Sequence, residues 1–425
     1  MKSKIQRPAE TVIQSNPDHS GDSIPPRVIA ATQRLQITER TPFFIFDLDR
    51  LRRNFRGFTD PWRFAFPRIQ IAYSYKTNSL KAITRSLLAE GASADVASGA
   101  ELSMALGDGH LPDRIFFNGP AKLAAELEHA IRLGVRINVD SIAELIELIR
   151  VHRVHRLKPR IGLRVSVVGT DGTTSRLGLD EIELAEALAL LSDAALAPSG
   201  VHCHVGSNIN SIDPYVGCLR RYRTFIRELV NTTQDRGNWI DIGGGFPPQL
   251  VGAHSAPLPI SDFATSIHQF FQSEGLAPDK FELVLEPGRV LVEECGYFVM
   301  RIVATKTRGN RRLLVVDGGT NWIRHVFDWT HPVTVLSTID THSDLVEYRV
   351  YGTNCFEEDV VVESVFAPAN VQVGDCVVVG SVGGYDISSA IVWTRPLPAV
   401  IGFDGDGVTT IRRAHDHLDM RTHQN

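Results

Sequence analysis

The sequence predicts a (β/α)8 TIM-like barrel, an α/β fold, followed by a C-terminal all-β domain of sandwich or barrel type. Three observations carry that expectation. Between about residues 69 and 290 eight short runs of strand character recur, each ended by polar or glycine-containing residues and mostly followed by apolar residues at helical spacing. After residue 290 the helical spacing stops, and β-rich runs follow one another across turns. The chain has 425 residues, more than a single hydrophobic core organises.

The eight runs are Ile69 to Tyr75, Ser93 to Ala97, Arg114 to Phe117, Arg136 to Val139, Arg160 to Val165, Gly200 to His204, Trp239 to Ile242 and Glu282 to Leu285. Between them lie amphipathic segments such as LKAITRSLLAEG, AKLAAELEHAIRLG and EIELAEALALLSD, several ending at a glycine that suits a helix C-cap. Eight such units in succession fit a closed barrel better than an open doubly wound sheet. The later β-rich runs include YFVMRIVATKTRG, RRLLVVDGG, EYRVYGTN, DVVVESVFA and GDCVVVGSVGG. The early run Pro42 to Asp47 is expected to join that later sheet. The division expected is therefore a flexible tail over 1–25, a segment over 26–48 that joins the β domain, the barrel over 49–292 and the β domain over 293–425.

Composition narrows the partners. Hydrophobic residues make up 43% and charged residues 22%, and a net charge of -5 leaves no electrostatic footprint for nucleic acid, so a small molecule is expected. No apolar run has the length of a membrane span, and the polar start lacks the apolar stretch of a signal peptide, from which a cytoplasmic location is expected. The five cysteines are odd in number and lack metal-ligand spacing, which predicts reduced thiols and no metal site. The end HDHLDMRTHQN reads as a solvated tail.

Barrels of this kind place their chemistry at the C-terminal ends of the strands. Those positions here hold Lys76, Asp95, Asn118, Arg164 with Arg176 beyond it, His204 and Ser207, Gly243-Gly244-Gly245, and Glu286 with Gly288 and Arg289. A lysine at a strand tip is expected to be partly desolvated, which favours the neutral amine that attacks a carbonyl to form a Schiff base. Three successive glycines let backbone N-H groups approach an anion, and Ser207 and Arg289 stand where they would complete a phosphate cradle. A nucleophilic lysine beside a phosphate cradle points to pyridoxal 5'-phosphate, whose pyridine nitrogen needs a protein partner. Glu286 is the candidate for that role, and His204 is the candidate to lie flat against the ring.

The motifs DVASGAEL, FFNGPAK, INVDSIAEL, SRLGL, HCHVGS, DIGGGFP and LEPGR, in this order after YSYKTNS, make the chain resemble the fold-type III pyridoxal-phosphate decarboxylases, in the diaminopimelate decarboxylase-like branch. The resemblance runs over nearly the whole chain and implies an alanine racemase-like architecture. It also implies that Lys76 carries the cofactor, that Asp95, Arg176, His204, Ser207, Gly243, Gly244, Gly245, Glu286, Gly288, Arg289 and Tyr385 surround it, and that the assembly is a homodimer with composite sites. By the same resemblance Cys355, in GTNCFEED, acts from the neighbouring subunit and returns a proton to the substrate α-carbon. The catalytic set is then Lys76, Cys355 and His204, with Arg289, Arg324, Phe356, Glu357 and Tyr385 facing the substrate.

This chain departs from the branch around the substrate. Diaminopimelate decarboxylases carry a glutamate directly after the cysteine, where Phe356 stands here, and an apolar ring does not pair with a distal ammonium. The stretch Asp317 to His325 is one residue shorter than the family spacing, and Ser388 to Trp393 lacks the aromatic-Asn-Gly pattern. The reaction expected is therefore α-decarboxylation of a modified or conjugated amino acid of specialised metabolism. The alternatives are diaminopimelate itself, an amino-acid racemase or epimerase, and a non-catalytic cofactor-binding regulator.

Overall fold

The computed structural model describes residues 24–169, 173–232, 237–248, 256–326, 331–337, 344–405 and 407–421. The chain forms two compact units, one made of residues 48–250 and 256–294, the other of residues 1–47, 251–255 and 295–425. Most of the expected tail lies outside the described residues.

The first strand, β1 (Phe43–Asp47), belongs to the second unit, and the next eight make the barrel. These are β2 (Ile69–Ser74), β3 (Ser93–Val96), β4 (Ile115–Phe117), β5 (Arg136–Val139), β6 (Arg160–Arg164), β7 (Gly200–His202), β8 (Trp239–Asp241) and β9 (Glu282–Leu285). They pair in sequence order, all parallel, and β9 closes on β2 with Ile69 opposite Leu283. The barrel expected from the eight runs is thus present, with strand ends one or two residues inside several of the expected ones. Its helices start on caps visible in the sequence: Ser98 accepts from Glu101 N, Ser141 from Glu144 N, and Asp180 from Ile182 N and Glu183 N.

Packing inside the barrel explains two glycines. Ala72, Phe116, Trp239 and Val284 form one buried cluster, so strands β2, β4, β8 and β9 meet around the Trp239 indole. A Cβ on Gly200 would overlap that ring, and one on Gly162 would reach 3.0 Å from it. Glycine on β6 and β7 therefore makes room for the large side chain on β8. The guanidinium of Arg136 lies over the Phe116 ring at 4.9 Å and the Trp239 ring at 5.5 Å, and its charge pairs with Glu282.

The second unit is a sheet ordered β14-β13-β11-β10-β1-β16-β17, with β15 pairing both β10 and β12. Its later strands are β10 (Gly296–Arg308), β11 (Arg311–Val316), β12 (Val333–Leu336), β13 (Leu345–Tyr351), β14 (Val360–Pro368), β15 (Cys376–Gly380), β16 (Ala399–Asp404) and β17 (Gly407–Arg412). Strand β1 runs antiparallel to β10, with Phe43 opposite Val299, and parallel to β16, with Phe43 opposite Ala399. All four apolar residues of β1 are fully buried because it has neighbours on both edges and packed side chains on both faces. Helix Pro26–Thr38 sets Val28, Ala31 and Leu35 against Phe43, Ile45, Val299, Val378 and Ile401. That helix, with Pro26 in its first turn and apolar residues at spacings of three and four, was not among the expected elements, nor were β12, β16 and β17.

Replacing Gly200 by alanine is expected to destabilise the barrel by about 1–3 kcal/mol, because the new methyl meets the Trp239 ring. Urea unfolding measures this, and the double variant Gly200→Ala, Trp239→Phe is expected to recover part of the loss.

Candidate active site

Strand β2 ends at Ser74, and the chain turns through the single 3-10 turn Tyr75–Thr77 that carries Lys76. Lys76 Nζ donates to Ser74 Oγ at 2.7 Å and to Asp95 Oδ2 at 3.1 Å, and Ser74 Oγ donates to the same Asp95 oxygen at 2.7 Å. The buried carboxylate on β3 thus anchors the amine from the next strand. The desolvation expected of a strand-tip lysine is only partial, since the Lys76 side chain is 45% exposed while that of Asp95 is 1% exposed.

Glu286, immediately after β9, is buried and held from three sides. Asn118 Nδ2 donates to its Oε1, His202 Nε2 lies 3.3 Å from its Oε2, and Asp241 bonds to it from the end of β8. Burial alone would push its pKa up. The His202 ring, by charge and hydrogen bond, then the Asp241 hydrogen bond and the Lys76 charge outweigh that and hold Glu286 well below the usual carboxylate range. Burial and the Glu286 charge push the Asp241 carboxyl well above its ordinary value, opposite in direction to Glu286. Ligand atoms of His202, Asp241 and Glu286 lie within 4.8 Å of one another, the one such group among the described residues that could ligate a metal. Their oxygens are already committed to hydrogen bonds, including Gly243 N to Asp241 Oδ1 at 2.9 Å.

The glycine run after β8 is a crowded turn. Gly243 and Gly245 have φ of 71° and 90°, and a Cβ on Gly243 would come within 2.6 Å of the Cys203 carbonyl. Cβ atoms on Gly244 and Gly245 would overlap the carbonyls of Glu286 and Gly206. The backbone after β8 therefore packs directly on the backbone after β7 and β9. Gly244 N donates to His204 Nδ1 at 3.2 Å, which ties the ring of His204 to this turn. Desolvation, with the nearby Lys76 charge second, lowers the His204 pKa to about 3.

Of the expected cofactor set, the barrel unit gathers Lys76, Asp95, His204, Gly243 to Gly245 and Glu286 through these contacts. Gly288 precedes the short helix Arg289–Val292, where Arg289 Nη1 lies 3.4 Å from Glu293 Oε2. Ser207 and Arg176 are exposed on the loops after β7 and β6. A primary amine beside a buried carboxylate, a second buried carboxylate kept charged, and a glycine turn with no room for side chains are a donor set that would hold pyridoxal phosphate. Sequence reasoning gave no role to His202, Asp241, Asn118 or Asn138. Their signal was present, since each stands at a strand end or inside a quoted motif, but their partners are more than 80 residues away in the case of His202 and Glu286.

The remaining expected residues belong to the β unit. Cys355, Phe356 and Glu357 are exposed on the loop after β13, and all five cysteines are free thiols. Asp359 organises that loop: it accepts from Asn354 N at 2.7 Å, and from Thr320 N at 2.9 Å and Thr320 Oγ1 at 2.8 Å. Asn354 Nδ2 donates to Asn321 Oδ1 at 2.9 Å, and Asn321 Nδ2 to the Ile391 carbonyl at 3.0 Å. Loops 317–325, 352–359 and 386–394 are thereby joined. Arg324 is exposed there, the Tyr385 ring lies tilted against His325 with centroids 5.8 Å apart, and Phe356 meets Trp393 at 5.3 Å.

Comparison with known proteins agrees with this donor set. Residues 51–293 match the family described as pyridoxal-dependent decarboxylase, pyridoxal binding domain. The diaminopimelate decarboxylase of Methanothermobacter thermautotrophicus is 28% identical over 91% of this chain and 92% of its own, and that of Archaeoglobus fulgidus is 29% identical over 89% and 92%. The crystal structure of the Helicobacter pylori diaminopimelate decarboxylase, complexed with L-lysine, superposes with a TM-score of 0.81 at 25% identity, covering 92% of this chain and 98% of that one. The chain belongs to the pyridoxal-dependent decarboxylases. Within them it is an amino-acid carboxy-lyase of the diaminopimelate decarboxylase type, with pyridoxal 5'-phosphate as cofactor.

His204 is expected to stay neutral from pH 8 down to about 5, which ring-proton NMR reads directly. The unfolded chain takes up this proton near pH ~6.5, whereas the folded site takes it only near 3. Folding stability attributable to His204 therefore falls as pH drops through that interval, and His204→Gln is expected to flatten the decline.

Proposed function

We propose that this enzyme removes the α-carboxylate of diaminopimelate, the compound in the names of its curated relatives, as a cytoplasmic homodimer. The observation that carries the reading is the Lys76 amine held by Asp95 at the barrel end where Glu286 is kept ionised. Bound pyridoxal phosphate supplies the electron sink for the carbon that loses carbon dioxide. In this reading Lys76 holds the cofactor through its amine, and Asp95 orients that amine. The glycine turn with Ser207, Gly288, Arg289 and Arg176 binds the phosphate. Glu286, held charged in the barrel, would keep a proton on the ring nitrogen, and neutral His204 would face the ring without adding positive charge. Cys355, an exposed thiol on a loop fixed by Asp359, returns a proton to the α-carbon from the partner subunit, with Tyr385 and Arg324 beside the substrate. Free cysteines throughout suit a reducing compartment.

One observation favours a second reading. Phe356 and Trp393 form an exposed aromatic pair, with Ile391 and Val392 also exposed nearby, where the family has a carboxylate. Such a surface suits a distal end whose ammonium is masked, as in a conjugated amino acid. The relatives support diaminopimelate at least as well.

A panel of diaminopimelate, lysine, ornithine and their distal N-acyl derivatives, followed by carbon dioxide release, decides between the two. Faster turnover of diaminopimelate supports the first reading, faster turnover of an acylated substrate the second, and release from none overturns both. Lys76→Ala is expected to lose the cofactor imine absorbance and all turnover. Cys355→Ala is expected to keep the absorbance while losing about a hundredfold or more in kcat, and an unchanged kcat would remove Cys355 from the reaction.

A further inference from the structure

One buried amide joins the two carboxylates on which the site depends. Asn118 Nδ2 donates one hydrogen to Asp95 Oδ1 at 2.7 Å and the other to Glu286 Oε1. Asp95 is the carboxylate that holds the Lys76 amine, and Glu286 lies on the far side of the amide from it. The direction of the amide is set by its neighbours. An indole N-H can only donate, and Trp239 Nε1 donates to Asn138 Oδ1 at 3.2 Å, which turns the Asn138 NH2 group toward Asn118. Asn138 Nδ2 accordingly donates to Asn118 Oδ1 at 2.6 Å, leaving both hydrogens of Asn118 for the carboxylates. The relay Trp239, Asn138, Asn118 is buried throughout.

We propose that Asn118 is a positioning residue that fixes the carboxylates of Asp95 and Glu286 relative to each other through the two hydrogens of a single amide. A hydrogen bond donated to a carboxylate favours its charged form, and one donor shared by two carboxylates screens each from the other. The other groups facing this pair are Lys76 at the end of β2, Glu101 on the helix after β3, the Arg164–Asp140 ion pair at 2.9 Å, His202 and His204 on and after β7, and Asp241 on β8. The proposal rests on Lys76 and Glu286 as the amine and carboxylate that bind the cofactor.

The test uses the full-length protein freed of cofactor, with carboxyl-carbon NMR of Asp95 and Glu286 against pH in the wild type, Asn118→Leu and Asn138→Leu. Leucine matches asparagine in size and donates nothing. In Asn118→Leu the protonation of Glu286 is expected to move up by about one to two pH units. Asn138→Leu, which frees the amide to turn, is expected to move it less in the same direction. With pyridoxal phosphate added back, Asn118→Leu is expected to bind about tenfold more weakly, and the pH at which its imine absorbance changes is expected to move. If Asn118→Leu fails to fold, Asn118→Ser, with a single hydroxyl donor, is expected to shift one carboxyl carbon and spare the other. Carboxyl titrations like those of the wild type in any of these folded variants at position 118 would overturn the proposal. Shifted titrations in a protein that decarboxylates no amino acid would leave the amide bridge standing and remove the functional reading instead.

Discussion

Everything at the barrel end depends on keeping one carboxylate ionised where water is excluded. An isolated buried charge is costly enough that a carboxyl normally takes a proton instead. Glu286 avoids this because three other strands each contribute a partner: His202 from β7, Asp241 from β8 and Asn118 from just beyond β4. The site's charge is therefore a property of the closed barrel, since only closure brings β4, β7, β8 and β9 to one point. A second buried ion pair supports the same corner. Lys122, with no side-chain exposure, pairs with Glu144 at 2.7 Å and donates to the carbonyls of Gly119 and Asn138. Lys122 thus ties the loop that carries Asn118 to the end of β5, where Asn138 sits.

The two units fix their loops by different means. In the barrel the turn after β8 is held by lack of space, because glycines lie against carbonyls of the flanking loops and no side chain fits. In the β unit a single buried acid, Asp359, ties the loop of Cys355 to the loop of Thr320, and asparagines extend the tie to Ile391. The first device leaves backbone amides close to whatever binds. The second leaves side chains such as Phe356, Glu357 and Cys355 projecting from a firm base.

The barrel was legible in the sequence because its strands are short apolar runs with polar ends, and both features are local. Lys76, Glu286 and the glycine run stood out for the same reason. Other features depend on distant partners. The rationale for Gly200 is the Trp239 indole on the next strand, and the upward shift of Asp241 comes from burial and from Glu286. Strands β16 and β17 have weak local signals, as β17 is largely exposed and β16 includes a glycine. The place of β16 comes from pairing with β1, more than 350 residues earlier in the chain, and β17 pairs in turn with β16. The partial exposure of Lys76, by contrast, was expected of a strand tip, and the 3-10 turn just beyond β2 carries it.

Strand β1 leaves the ribosome long before the sheet that surrounds it. Its partners β10 and β16 begin at Gly296 and Ala399, so Phe43-Phe44-Ile45-Phe46 must wait while the entire barrel is synthesised. During that wait it is an apolar, unpaired strand of the kind that templates aggregation. A chain interrupted between about residues 295 and 399 would carry a complete barrel unit and, at its other end, an adhesive segment lacking one or both of its strand partners. Production of the enzyme is thus expected to depend on translation speed and chaperone supply more than the stability of its finished barrel would suggest.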